Sequence, residues 1–178
     1  MTTLATLLGS PAAVGRWELV PARSTLEFTN KTFWGLMNVK GAFTDLRGEG
    51  RIGADGTVTG RLVIKATSVQ TGIGRRDHHL RSADFFDQEN HPDIVVTVEG
   101  VQPGDGDEVT VRAELTIRGN TATLPLRATV DTLDDGAVRV TAKTTLQRGE
   151  LGVSGNMAGM VGKTTVVSAD LVFRRTEG

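Results

Sequence analysis

Long stretches of this chain alternate apolar and polar residues with a period of two. From Val58 to Ala66, every second residue is apolar or glycine. In an extended chain such residues share one face, so the pattern predicts a strand with one buried face. The same pattern recurs, with the single exception of Thr144, at residues 109–117, 122–130, 138–146 and 167–173.

Short turn signals separate the predicted strands. Asp55-Gly56 and Asp134-Asp135-Gly136 are typical of hairpin turns, and Gly119-Asn120 turns the chain between two more strands. Extended segments before Ile52 and after Asp93 bring the total to about eight strands. Regular strands with one apolar face and hairpin connections predict an all-β protein, an eight-stranded antiparallel β-barrel.

The chain length and its first residues set the expected domain boundaries. A chain of 178 residues suits one domain with a substantial core. We expect that barrel domain at residues 16–176, preceded by a flexible segment at residues 1–15. The first basic residue is Arg16 and the apolar run before it is short, so we expect no signal peptide and a cytoplasmic location. No stretch approaches the roughly 20 apolar residues of a transmembrane helix.

Composition narrows the classes of partner and cofactor. A formal net charge of -1 and a pI near 6.3 give no electrostatic reason to expect nucleic acid. The absence of cysteine excludes disulfides and thiolate-bound metals. We therefore look for function in the barrel itself.

The inward rows of the predicted barrel are rich in alanine and valine, and aromatic residues make up only 4% of the chain. A solid barrel core needs more bulk at its centre, so the pattern favours an open apolar lumen, with a packed core as the alternative. The residues predicted to line the lumen and bind a ligand are Phe28, Phe43, Leu62, Ile64, Val96, Val98, Val111, Leu115, Leu126, Val140 and Phe173.

The alternation stops between Ser68 and Asp93. Asp77 and Arg81 form an acidic-then-basic pair at helical spacing, and Ile73 and Leu80 lie seven apart, which on a helix places both on one face. We predict a short helical insertion near residues 74–91 that covers one end of the barrel. Its predicted lid and mouth residues are Arg76, Asp77, His79, Arg81, Phe85 and Phe86.

Chemistry at this insertion has several interpretations. His78 and His79 are adjacent and point about 100° apart on a helix, and no HExxH spacing occurs, so we expect no metal site. Ser82 lies near His79 in sequence, but no nucleophile elbow accompanies it, and we expect neither catalytic residues nor a cofactor. Arg75, Arg76 and Arg81 either form a positive rim for an anionic head group or are ordinary surface arginines.

The insertion carries a long motif. Thr71-Gly72, Arg76-Asp77, His79-Leu80, Ser82 and Asp84-Phe85-Phe86-Asp87 together resemble the signature of the YceI-like family. The stretches 39–43, 115–119 and 148–152 are similar to three further motifs of that family. The resemblance implies a lipocalin-like eight-stranded barrel with a helical insertion, an interior that binds polyisoprenoids or related long apolar chains, and a possible homodimer.

Together these features predict a binding protein and not an enzyme. We expect a long-chain apolar ligand, a polyisoprenoid or fatty-acid-like lipid, to be held in the lumen for storage, transport or sequestration. The alternative is a protein-interaction or regulatory module whose barrel is filled. The glycine-rich stretch at residues 148–163, with Met157 and Met160, is either a second lid or a loop packed on the rim.

Overall fold

The structure is a computed structural model, and it describes residues 4–32, 37–82, 86–147 and 161–176. Within these ranges the chain forms two short helices and eleven strands. The helices are α1 (Leu4–Leu8) and α2 (Gly74–Arg81). The strands are β1 (Gly15–Leu19), β2 (Thr25–Thr32), β3 (Met37–Phe43), β4 (Leu46–Ile52), β5 (Val58–Lys65), β6 (Val69–Gln70), β7 (Asp93–Pro103), β8 (Glu108–Ile117), β9 (Asn120–Thr132), β10 (Val138–Gln147) and β11 (Val161–Thr176).

These strands form one closed antiparallel barrel. The hydrogen-bonded order is β1-β4-β5-β7-β8-β9-β10-β11-β2-β3-β6, and β1 also pairs with β11, which closes the sheet. β1 with β2, β3 with β4, and β5 with β6 act as three long strands, each interrupted once. The eleven segments therefore make eight barrel strands, and the predicted architecture is confirmed.

The Ser24 side chain accepts a hydrogen bond from β11 at the break between β1 and β2. The chain makes a single 3-10 turn at Pro21–Arg23, where proline supplies no backbone donor. Val20 N–H still donates to the carbonyl oxygen of Val172 at 2.8 Å, and Val172 N–H donates to Ser24 Oγ at 3.0 Å. Since Ser24 Oγ in turn donates to the Val20 carbonyl oxygen, the β11 edge stays paired through the break.

The predicted hairpin turns form where glycine was expected. Gly56 has a φ of +83°, as does Gly136, and a residue with a Cβ adopts this left-handed conformation only with strain. Asp55 Oδ1 accepts hydrogen bonds from the backbone N–H and the hydroxyl of Thr57, which tightens the first turn.

The core divides into two clusters along the barrel. One contains Leu26, Ile64 and Ile94, and it packs against Leu80 and Phe86 of the insertion. The other contains Trp17 and Val109 and lies beside the N-terminal segment. Each end of the barrel is thus associated with a helical element, α2 at the first and α1 at the second.

The N-terminal segment carries more structure than the sequence indicated. α1 is followed by a 3-10 turn at Pro11–Ala13, and Trp17 Nε1 donates to the carbonyl oxygen of Ala13 at 2.9 Å. Leu7 and Leu8 pack against the second cluster. The flexibility of residues 1–15 stays a prediction, but two helical elements lie within them. No described helix has the length and apolar character needed to span a bilayer.

Candidate functional site

The inward faces of the strands enclose an apolar cavity of about 380 Å³. Its wall includes side chains from both core clusters, so the cavity extends between the two ends of the barrel. All of the residues predicted to line the lumen lie on this wall: Phe28, Phe43, Leu62, Ile64, Val96, Val98, Val111, Leu115, Leu126, Val140 and Phe173. Their contact with a ligand stays a prediction.

The cavity is open because several inward-facing side chains of its wall are small. Ala128 and Ala142 line the cavity at positions where leucine or phenylalanine would extend into it. The volume falls in the lower part of the range of about 300–1,000 Å³ that is usual for small-molecule sites. An apolar cavity gives water few hydrogen-bond partners, so it suits an apolar occupant. The open lumen is therefore favoured over the filled core.

Three phenylalanine rings connect the cavity wall to the insertion. The ring centroids of Phe28 and Phe43 are 5.6 Å apart, and those of Phe43 and Phe86 are also 5.6 Å apart in an edge-on arrangement. The Phe28 ring lies directly over Gly41, where an added Cβ would be 2.5 Å from Phe28 Cζ. Glycine is thus required on β3 for the ring to lie flat against the wall.

A buried carboxylate holds the beginning of α2. Asp77 is 7% exposed, and its Oδ1 accepts hydrogen bonds from the backbone N–H of Thr71 at 2.9 Å and from the Thr71 hydroxyl at 2.5 Å. Arg76 donates from Nε to Thr71 Oγ1 at 2.7 Å and from Nη2 to the Thr71 carbonyl oxygen at 2.8 Å. Two neighbouring residues of the helix, Arg76 and Asp77, are therefore both hydrogen-bonded to Thr71 in the preceding loop.

The other end of α2 is attached to the barrel strand. Arg81 donates from Nε to the Thr67 carbonyl oxygen at 3.0 Å and from Nη2 to the Val69 carbonyl oxygen at 3.2 Å. The side chains of Leu80 and Phe86 line the cavity. α2 and Phe86 thus cover one end of the cavity as a lid, which polar hydrogen bonds hold at both ends of the helix and which is apolar towards the cavity. Of the predicted lid residues, Phe85 lies outside the described residues.

The polar groups of the lid serve its structure. Ser82 Oγ donates to the backbone carbonyl oxygen of His79 at 2.5 Å, so the hydroxyl closes the end of α2. Arg76 and Arg81 bond to backbone carbonyls, and their binding of an anionic head group stays a prediction. Among the described residues, no group of three His, Asp or Glu side chains is placed to hold a metal ion.

Several cavity residues were not predicted from the sequence. Leu7 of α1 lines the cavity at one end, and Leu80 lines it at the other. Three polar residues in the inward phase of their strands, Asn30, Thr144 and Thr165, also lie on the wall. The other described polar residues that border the cavity alternate with inward positions and are exposed: Glu27, Glu49, Arg51, Thr59 and Arg61. Asn30 continues the inward phase of Leu26 and Phe28, which is the signal that could have identified it. The glycine-rich stretch with Met157 and Met160 lies outside the described residues.

Solved structures share this fold. BcnA of Burkholderia cenocepacia superposes with a TM-score of 0.78 at 18% identity, covering 86% of this chain and 98% of BcnA. A polyisoprenoid binding domain from Saccharophagus degradans, implicated in plant cell wall breakdown, gives a TM-score of 0.74 at 20% identity over 90% of this chain and 98% of that domain. At these identities the likeness concerns the fold.

Sequence relatives match rather more than a third of the chain. Protein YceI of Escherichia coli O157:H7 is 40% identical over 67 residues, which are 38% of this chain and 35% of that protein. The matched segment thus spans about a third of the length of this relative. The family model described as YceI-like domain matches residues 17–173, nearly the whole of the barrel. The chain therefore belongs to the YceI-like domain family.

Proposed function

We propose that this protein binds one long-chain apolar ligand, a polyisoprenoid or fatty-acid-like lipid, in the barrel cavity. Binding involves no chemical step, and its purpose is storage, transport or sequestration of the chain. The observation that carries the proposal is the apolar cavity of about 380 Å³ beneath a fixed lid. The Saccharophagus degradans domain of the same fold, described as polyisoprenoid binding, supports it.

The energetics of burial favour a long chain. Each buried methylene contributes about 0.8 kcal/mol, so a six-carbon chain gains about 5 kcal/mol. Association costs about 4 kcal/mol or more in lost freedom, which nearly cancels that gain. A twelve-carbon chain gains about 10 kcal/mol and binds with a clear surplus. Affinity should therefore rise steeply with chain length until the cavity is full.

A cavity-filling substitution tests this proposal. Ala142 on β10 lines the cavity, whereas Thr145 on the same strand lies on the opposite face and is exposed. Ala142→Phe should displace about three carbons of chain and weaken the binding of hexadecan-1-ol about 50-fold in a calorimetric titration. Thr145→Phe adds the same ring outside the barrel and should bind as the wild type does.

Two results would contradict the proposal. A folded Ala142→Phe variant with wild-type affinity would show that the ligand does not occupy this cavity. A wild-type protein that binds neither long-chain alcohols, fatty acids nor polyisoprenoids would show that the cavity is not a lipid site.

A further inference from the structure

Three polar side chains interrupt the apolar wall at one place. Asn30 on β2 is paired in register with Thr165 on β11, and Thr165 is paired with Leu146 on β10. Thr144 lies two residues before Leu146 and so is the diagonal neighbour of Thr165 on the inward face. Directly paired side chains have Cβ atoms about 4.5–5.5 Å apart, and diagonal ones about 7–8 Å. We call these three residues the Asn30 cluster.

The side-chain oxygen of Asn30 is buried and unpaired among the described residues. The residue is 8% exposed, it lines the cavity, and its Oδ1 has no hydrogen-bond partner among the described residues. Buried polar atoms are nearly always paired, because an unpaired acceptor loses its bonds to water and gains nothing in return. An unpaired acceptor at the surface of a cavity indicates a partner that enters the cavity.

We propose that the Asn30 cluster binds the polar end of the ligand, and that this end is an uncharged group with a hydrogen-bond donor, a long-chain alcohol in its simplest form. The inference rests on the proposed function and names the chemistry of the ligand's head. A ligand hydroxyl donates to Asn30 Oδ1, and its oxygen accepts from the hydroxyl of Thr144 or Thr165. The apolar chain then extends along the remainder of the cavity.

The charge of the described wall favours an uncharged head. The members of the Asn30 cluster carry no formal charge. Four charged residues of the described chain border the cavity, and each alternates with the inward-facing residues of its strand and is exposed: Glu27, Glu49, Arg51 and Arg61. Burying a carboxylate or phosphate at the Asn30 cluster would therefore place a charge opposite neutral groups, which is strongly unfavourable. A hydroxyl satisfies the same amide without that penalty.

A matched pair of ligands isolates the proposed hydrogen bond. Farnesol and its methyl ether share the same chain, but only farnesol has a hydroxyl hydrogen to donate. The wild type should bind farnesol about two- to tenfold more tightly than the ether, which is the usual contribution of one neutral hydrogen bond. The Asn30→Leu variant should bind farnesol and its methyl ether about equally. It should bind the ether at least as tightly as the wild type does.

The control and the contrary outcomes separate this inference from the proposed function. Thr29→Val alters the adjacent residue, on the outward phase of β2, and should keep the wild-type preference for farnesol. An undiminished preference in Asn30→Leu, or in Asn30→Ala if the leucine variant does not fold, would overturn the inference while leaving lipid binding intact. Tighter binding of hexadecanoate than of hexadecan-1-ol at pH 8 would overturn the uncharged head. Failure of the wild type to bind any of these probes would overturn the proposed function as well.

Discussion

The attachment of the lid to the barrel through Asp77 can be tested by removing one side chain. Asp77→Ala deletes the carboxylate that accepts two hydrogen bonds from Thr71, at 2.9 Å from its backbone N–H and at 2.5 Å from its hydroxyl. Asp77→Asn is the matched variant, because it keeps an acceptor oxygen at the same place and loses only the charge. The lid should open more often in both variants, and more in the alanine variant.

The size of the effect follows from the two bonds. Hydrogen bonds to a charged group contribute about 1.5–3 kcal/mol each. The two bonds share a single oxygen, so we take the lower value and expect about 3 kcal/mol in total for Asp77→Ala. Since each 1.4 kcal/mol is a factor of ten, the open population of the lid should rise about 100-fold. Neutral acceptors are weaker, so Asp77→Asn should raise it only about tenfold.

Amide hydrogen exchange measured by mass spectrometry reports this opening directly. The segment from Val69 to Ser82 should exchange about 100-fold faster in Asp77→Ala than in the wild type. The segment covering β8, residues 108–117, provides the internal control and should keep its protection in both variants. Unchanged exchange in the lid of Asp77→Ala would refute the role of this carboxylate, and equal loss of protection in β8 would show that the variant destabilises the whole barrel.

Two further predictions concern stability. Asn30→Leu should raise the free energy of unfolding of the ligand-free protein by about 1 kcal/mol, because it removes an unpaired buried acceptor, and an unchanged or lower urea midpoint would contradict this. Hydrogen bonds from Arg139 lower the pKa of Asp170 below its usual value. A lowered folded-state pKa stabilises the protein above the unfolded pKa of about 4 and stops doing so as the pH falls through the folded value. Asp170→Asn should therefore be less stable than the wild type at pH 7, by a small amount because both side chains are partly exposed, and the difference should disappear in acid; a constant difference from pH 7 to pH 2 would contradict it.

Strand periodicity predicted the cavity wall because alternate residues of each barrel strand face the interior and the residues between them face outward. Leu62 and Ile64 on β5, or Val111 and Leu115 on β8, share a phase and therefore share a face. The register between strands keeps those phases aligned around the barrel. Every predicted lumen residue lies on the wall for this reason.

The helical elements were harder to predict. Ile73 and Leu80 were expected to share one face of a helix, but α2 begins at Gly74, so Ile73 precedes the helix and is 53% exposed. That prediction was wrong, while Leu80 does line the cavity. A segment as short as α1 gives little periodicity, and its place depends on the packing of Leu7 and Leu8 against the second core cluster, which no local pattern shows.

The polar residues of the cavity could not be assigned from the alternation alone. Thr144 is the exception in an otherwise apolar row, and Asn30 follows Leu26 and Phe28 in phase. Each is unremarkable by itself, since threonine and asparagine are common on strand edges and turns. Only the pairing of β2 with β11, and of β11 with β10, brings them together on one wall.

The most direct test of lipid binding is native mass spectrometry of the purified protein, followed by extraction and lipid analysis. Our account predicts a long-chain species bound one per protein chain, or its uptake at that ratio when an alcohol such as hexadecan-1-ol is added to the lipid-free protein. A protein that is isolated empty and also takes up no polyisoprenoid, fatty acid or long-chain alcohol would contradict the account. That result would favour the alternative of a protein-interaction module that acts through the barrel's outer surface.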